Sequence, residues 1–181
     1  MILILGKGVL ASALNSKIAN SVLVGRPEYD FMLQDDCDRL VHDYHPSVVI
    51  NAVGVNRDKD PWTILTTNYT SAVYLTLQFY NKMPSGQIIN ISSASAIWPS
   101  YPGIDTQRFC YNISKENLSN FSRHFNRKIV DEPKNVTVST VELGRFSSPM
   151  NNYDTGLDMD RVVNCIQSIM SLRAQQITII P

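Results

Sequence analysis

Tyr111 and Lys115 are the residues of this chain whose types and spacing point most directly to chemistry. Four residues apart on a helix, they lie one above the other on a single face. An ammonium beside a phenol favours the phenolate and lowers a pKa that is ordinarily about 10. A tyrosine tuned in this way exchanges a proton with a carbonyl or alcohol oxygen near neutral pH. Upstream, an apolar run ends in Ser92-Ser93-Ala94-Ser95. A serine hydroxyl from such a strand end can hydrogen-bond the same oxygen.

A second constellation opens the chain. Ile2-Leu3-Ile4-Leu5 runs straight into Gly6-Lys7-Gly8-Val9-Leu10-Ala11, a GxGxxA arrangement at a strand-to-helix turn. Gly6 permits the tight turn, Gly8 lets the backbone approach a pyrophosphate, and Ala11 is small enough for close helix packing. The helix that begins at Val9 and Leu10 points its N–H groups and partial positive charge at the phosphates. Arg26 follows the second apolar run, where a carboxylate would hold a ribose 2′-hydroxyl and an arginine a 2′-phosphate. With Lys7 adding a second cation, the pattern favours NADP over NAD; the nearby Asp30 keeps NAD as the alternative. Asn51-Ala52-Val53-Gly54 closes the third run with small residues that let the backbone pass under an adenine ring and its ribose.

These groups need a frame, and the hydrophobic pattern supplies one. Short uninterrupted apolar runs (Ile2–Leu5, Ser21–Gly25, Ser47–Ala52, Gln87–Ser92, Val136–Val141, Gln176–Ile180) alternate with helical stretches (Val9–Ala19, Asp36–Tyr44, Pro61–Lys82, Phe109–Ile129, Asp158–Leu172). Strands apolar on both faces mean a parallel sheet covered on both sides. Right-handed crossovers then wind it doubly, so the expected fold is α/β: a three-layer α/β/α, Rossmann-type sheet in one domain over 1–181. Residues 94–108 and 144–157 are the longest irregular stretches, which in a compact domain are usually functional. The second is expected to be a short substrate loop.

The bulk numbers agree. The chain has 181 residues, 44% hydrophobic and 18% charged, a globular composition. Lys plus Arg equal Asp plus Glu at 16 each, which gives no bulk argument for nucleic acid or an anionic membrane. No apolar run is long enough to span a bilayer, and Met1–Leu5 is too short for a signal peptide. A cytoplasmic setting is therefore expected. Cys37, Cys110 and Cys165 have neither disulfide nor zinc spacing, so no metal site is expected. His42, His45 and His124 are scattered and read as surface residues. Trp62 and Trp98 read as packing residues, with Trp98 also placed to line a substrate cleft.

Together these residues resemble the short-chain dehydrogenase/reductase family, over nearly the whole chain from Gly6. The resemblance implies that Tyr111 is the general acid/base. It implies that Lys115 holds the nicotinamide ribose and supports Tyr111. Ser93 looks like the catalytic serine, with Ser92 and Ser95 as alternatives. Asn68 matches the asparagine that supports a proton-relay water. The segment Glu142-Leu143-Gly144-Arg145-Phe146 is similar to the one that touches the nicotinamide carboxamide, although Leu143 stands where the family usually has Pro. Arg145 is either an anchor for an anionic substrate group or a solvated loop residue. The first half also resembles the dTDP-4-dehydrorhamnose reductases in Gly6-Lys7-Gly8, Tyr29-Asp30-Phe31 and Pro46–Ala52. The short stretch after Gly144 leads instead to the expectation of a small carbonyl or alcohol substrate. A homodimer or homotetramer, joined through the two long helices, is implied by the resemblance. The rival reading is a non-catalytic NADP sensor or interaction module on the same fold.

Overall fold

The computed structural model describes residues 1–55, 59–97, 103–146 and 156–172, and the backbone of 176–179. Six parallel strands form one sheet: β1 (Ile2–Leu5), β2 (Ser21–Val24), β3 (Val48–Asn51), β4 (Ser85–Ser93), β5 (Asn135–Leu143) and β6 (Gln176–Ile179). Their order is β2-β1-β3-β4-β5-β6. The direction of winding reverses between β1 and β3, so loops on either side of that point diverge and leave a crevice at the carboxyl edge. The doubly wound α/β expectation is met.

Alternation along each strand feeds two cores. Leu3 and Leu5 face a layer that contains Phe79, Phe125 and Ile129, from α4 (Ser71–Lys82) and α5 (Thr106–Ile129). Ile4 faces the opposite layer, with Leu14 of α1 (Val9–Lys17) and Ile166 of α6 (Met159–Leu172). Leu3, Ile4 and Leu5 are all fully buried, the reason that β1 reads as an unbroken apolar run rather than an alternating one.

Helix ends are fixed by side chains. Asp60 caps α3 (Pro61–Leu65) by accepting the Thr63 N–H at 3.0 Å, and Asp105 caps α5 by accepting that of Arg108 at 2.6 Å. Lys82 donates to the last carbonyls of α2 (Gln34–Asp43), His42 O at 2.8 Å among them, where a cation suits the helix dipole. β6 pairs with β5 only from Thr140 onward, and Asn126 of α5 serves the backbone before it. Its amide accepts from Val138 N and donates to Val138 O, covering an otherwise bare sheet edge.

The expected helix over 61–82 is three pieces: α3, a π turn over Thr66–Thr70, and α4. Three threonines in Thr66-Thr67-Asn68-Tyr69-Thr70 combine β-branching with hydroxyls that compete for backbone groups. Trp62 corrects another expectation. It is 73% exposed on α3 and packs no core. Trp98 and residues 147–155 of the expected substrate loop at 144–157 lie outside the described residues. The three histidines are exposed, as expected.

Candidate active site

The carboxyl end of β4 and the first half of α5 meet through two hydrogen bonds to one residue, Lys115. Lys115 is 5% exposed, and its ammonium donates to the Ile91 carbonyl at 3.0 Å. Its own carbonyl accepts from Ser92 Oγ at 2.8 Å, and Ser92 Oγ in turn accepts from Ser119 Oγ at 3.0 Å. Ser92 is therefore consumed in pinning the helix to the strand. The next residue alternates to the other face. Ser93 is half-buried, and its Oγ accepts the Ser95 N–H at 3.2 Å at the start of the short turn Ala94–Ala96. That bond uses an oxygen lone pair and leaves the hydroxyl proton for another acceptor. Strand and helix together bring Ser93 and the Tyr111–Lys115 turn to the same edge.

Burial shapes the lysine. Removed from water, the Lys115 ammonium is penalised, and its pKa falls from 10.5 to about 8. Gly54 is the neighbour on the β3 side. A methyl there would reach 3.5 Å from both Lys115 Nζ and Asn68 Oδ1, so the glycine leaves the lysine approachable from that side. Asn68 sits fully buried in the π turn. Its Oδ1 accepts Val55 N–H at 2.8 Å, and its Nδ2 donates to Val55 O at 3.1 Å and to Ser114 Oγ at 3.4 Å. Ser114 Oγ bonds Tyr111 O at 2.7 Å. The π turn thus ties the loop after β3 to the turn of α5 that carries Tyr111. Sequence reasoning offers Ser92 only as an alternative catalytic serine and misses Ser114 and Ser119, because a serine on a helix or strand carries no mark of its partner.

The nucleotide turn behaves as its residues suggest. Gly6 has φ +101°, and a Cβ there would stand 3.0 Å from Ala52 O. Only glycine fits both demands without strain. Asn51 bonds Asn90 Oδ1 at 3.1 Å and accepts Val53 N–H at 3.3 Å, fixing the small-residue segment beside that turn. Gly8 is the N-cap of α1, and no side chain caps that helix. A Cβ on Gly8 would meet nothing within 4 Å. Uncapped amides at Val9 and Leu10, open space above Gly8 and no acidic residue in the first turn suit a pyrophosphate.

The two expected 2′-phosphate cations are present but ion-paired. Lys7 contacts Glu28, and Arg26 lies 2.8 Å from Asp30. Lys7 holds the Glu28 carboxyl below the usual carboxylate range, and Arg26 does the same for Asp30. Such exposed pairs are screened by water and hold weakly, so a phosphate can replace either carboxylate. At the far end, Leu143 and Gly144 are buried and Arg145 is exposed. Phe146 bridges Leu157, and Leu157 N–H bonds Arg145 O at 2.8 Å. A Cβ at Gly156 would stand 2.6 Å from that same oxygen, so residues 145–146 and 156–157 are held tightly against each other. Among the described residues no His/Cys/Asp/Glu group could hold a metal ion, and no helix is long and apolar enough to cross a membrane.

Solved structures share this fold. A short-chain dehydrogenase from Burkholderia cenocepacia in complex with NADP superposes with a TM-score of 0.83 at 14% identity, covering 98% of this chain and 87% of its own. Serine dehydrogenase from Escherichia coli gives 0.81 at 16%, covering 99% and 97%. A GDP-L-fucose synthetase from Naegleria fowleri gives 0.79 at 15%, covering 99% and 76%. At these identities the likeness is one of fold. Comparison with curated proteins gives no match. The sequence profile of the short chain dehydrogenases matches residues 45–156, more than half of the chain, and that stretch holds Asn68, Ser93, Tyr111 and Lys115. This chain belongs to the short-chain dehydrogenase family of oxidoreductases.

Proposed function

We propose that the chain interconverts a small ketone or aldehyde and the corresponding alcohol, with NADP(H) as cofactor and Tyr111 as general acid/base. The observation that carries this reading is the double attachment of Lys115 to β4, through Ile91 O and Ser92 Oγ. It sets a desolvated cation one helical turn from Tyr111 and beside Ser93.

A bound nicotinamide supplies and accepts hydride. The protein's part is orientation and charge placement. In reduction, Tyr111 donates its phenolic proton to the carbonyl oxygen, and in oxidation it takes the alcohol proton back. Ser93 donates its hydroxyl proton to the same oxygen and fixes its direction. Lys115 supports the tyrosine electrostatically and holds the ribose hydroxyls. Asn68 works as a positioning residue, keeping Val55 and Ser114 against that pair. Gly6, Gly8, Val9 and Leu10 would hold the pyrophosphate, while Lys7 and Arg26 would hold the 2′-phosphate. Asn51, Ala52, Val53 and Gly54 would lie under the adenine and its ribose, and Leu143, Gly144 and Phe146 would line the carboxamide. The reported NADP complex of the Burkholderia relative supports the cofactor choice.

We propose a homodimer or homotetramer on the family resemblance, joined through the two long helical stretches, where Trp62 and Phe109 stand exposed. Light scattering at micromolar concentration checks it. For the activity, NADPH is mixed with a panel of small aldehydes and ketones and its absorbance followed. Turnover by the wild type and none by Tyr111→Phe is the expected result. A wild type that turns over nothing, or an active Tyr111→Phe, overturns the mechanism. A wild type that binds NADPH tightly and turns over nothing favours the sensor reading.

A further inference from the structure

The last residue of β5 opens the run Leu143-Gly144-Arg145-Phe146, four residues of which the arginine alone is exposed. We propose that Arg145 binds a carboxylate, so that the carbonyl substrate of this protein is a short oxo acid and the product the corresponding hydroxy acid. The inference rests on the reductase reading of the preceding section, with Ser93 and Tyr111 at the carbonyl oxygen.

Position is the first observation. β4 and β5 end side by side, and Ser93 is the register partner of Leu143. Arg145 follows two residues later. Strand spacing and rise put its Cα about 8 Å from that of Ser93, beyond the carboxyl edge of the sheet. A group held by Ser93 and a group held by Arg145 are thus separated by the length of a small molecule.

The mounting of the arginine is the second. Leu143 and Gly144 before it are buried, and Phe146 after it is half-buried against the core that α1 and α6 share. Its carbonyl accepts the N–H of Leu157 at 2.8 Å, and Leu157 is itself buried in that core. Gly156 packs so closely that a Cβ there would stand 2.9 Å from Arg145 C as well. The backbone under the guanidinium is therefore fixed from both sides. A side chain that only meets solvent gains nothing from such a mounting. One that meets a ligand at a set distance has less freedom left to lose on binding.

Charge is the third. The acidic residues that follow are engaged at α6: Asp158 accepts the N–H groups of Asp160 and Arg161 at 2.8 and 3.2 Å, and Asp160 pairs with Lys17. On the α5 side of the edge Lys115 supplies a buried cation. Two cations on either side of the reacting oxygen favour an anionic substrate over a neutral one. Arginine suits the task, because its planar fork gives a carboxylate two parallel N–H bonds. With five N–H donors it does so while keeping another partner.

The carboxylate takes no part in bond making. In reduction the carbonyl carbon accepts a hydride from the reduced nicotinamide, and the C=O π pair moves to oxygen. That oxygen takes the Tyr111 proton, which water replaces. The pair with Arg145 decides which way the carbonyl points toward Ser93 and Tyr111.

The test compares acetoacetate with methyl acetoacetate, and pyruvate with methyl pyruvate, as substrates with NADPH. Esterification removes the charge without making the carbonyl a poorer hydride acceptor, so a preference for the acid reads recognition. Wild type should favour the acid of at least one pair by about tenfold or more in kcat/KM, the scale of a charge-assisted hydrogen bond. In Arg145→Gln that preference should fall to near unity, through a higher KM for the acid. Arg145→Lys should restore part of it, since an ammonium keeps the charge and loses the fork. Added salt should shrink it, because the guanidinium is exposed. A readout without turnover is calorimetric titration of the NADP+-loaded protein with butyrate, which should bind Arg145→Gln about tenfold more weakly than wild type. Neutral carbonyls reduced as well as the acids, or an acid preference that survives Arg145→Gln, overturns the carboxylate site and leaves the reductase reading standing. A wild type that reduces no acid, ester or neutral carbonyl overturns the reductase reading and this inference with it.

Discussion

At the β4–α5 end of the sheet edge Lys115 is 5% exposed, bonded to a strand carbonyl and fastened to the strand by Ser92. At the β1–β2 end Lys7 and Arg26 are 37% and 65% exposed, each opposite a carboxylate. Both regions place cations at the carboxyl edge of one sheet, yet they are built for different work. In the proposed reaction the buried charge acts on a proton, and out of water its field is strong and its position costs no rearrangement. In the proposed cofactor site the charge that recognises an anion stays solvated, opposite carboxylates that can be exchanged. The buried region needs a fastened framework of serines and an asparagine. The exposed region needs only a short loop with pinned ends.

The largest effect expected is at the buried end. Tyr111→Phe should lower kcat/KM for reduction by about 10²- to 10⁴-fold, the range for losing a general acid, with nucleotide affinity nearly unchanged in titration. An equal loss of affinity would show that the tyrosine acts in binding instead.

Lys115→Met should separate stability from activity. Burial lowers the Lys115 pKa from 10.5 to about 8, so folding at neutral pH carries a penalty of up to about 3 kcal/mol. The variant should gain up to that amount of stability while losing turnover. The sign follows from linkage. Between pH 8 and 10.5 the unfolded chain binds more protons at this residue than the folded one, so wild-type stability rises there. The advantage of the variant is full below pH 8 and gone above 10.5. Denaturant titrations at pH 7 and pH 10 read it. A constant difference at the two pH values would place the charge in a wetter setting than the structure does.

Asn68→Ala comes next. It strips partners from the N–H and carbonyl of half-buried Val55, and should cost about 1–2 kcal/mol in denaturant unfolding. The smallest change is expected at the exposed end. Arg26→Ala should weaken NADP+ about tenfold, while moving stability by less than about 0.5 kcal/mol. A stability loss as large as that of Asn68→Ala would erase the contrast between the two regions.

Much of this frame was readable from the chain. Unbroken apolar runs such as Ile2–Leu5 announced buried parallel strands, and Gly6 announced the turn that its φ of +101° requires. The Tyr111–Lys115 spacing announced a shared helix face. What could not be read was partnership. Ser92 and Ser93 are adjacent and identical in type, yet one is spent on Lys115 O and Ser119 while the other faces the edge. Trp62 reads as a core residue and stands in solvent. The π turn at Thr66–Thr70 interrupts what periodicity presents as one helix.

By itself the sequence determined the element order, the two cores and the candidate groups, because strand alternation, helix periodicity and the glycine turn are local properties of neighbouring residues. Only the tertiary structure decided that Lys115 is desolvated, that Asn68 clasps Val55, and that Glu28 shares the ammonium of Lys7. Those facts depend on which elements lie side by side. Sheet order and crossovers set that, between residues far apart along the chain.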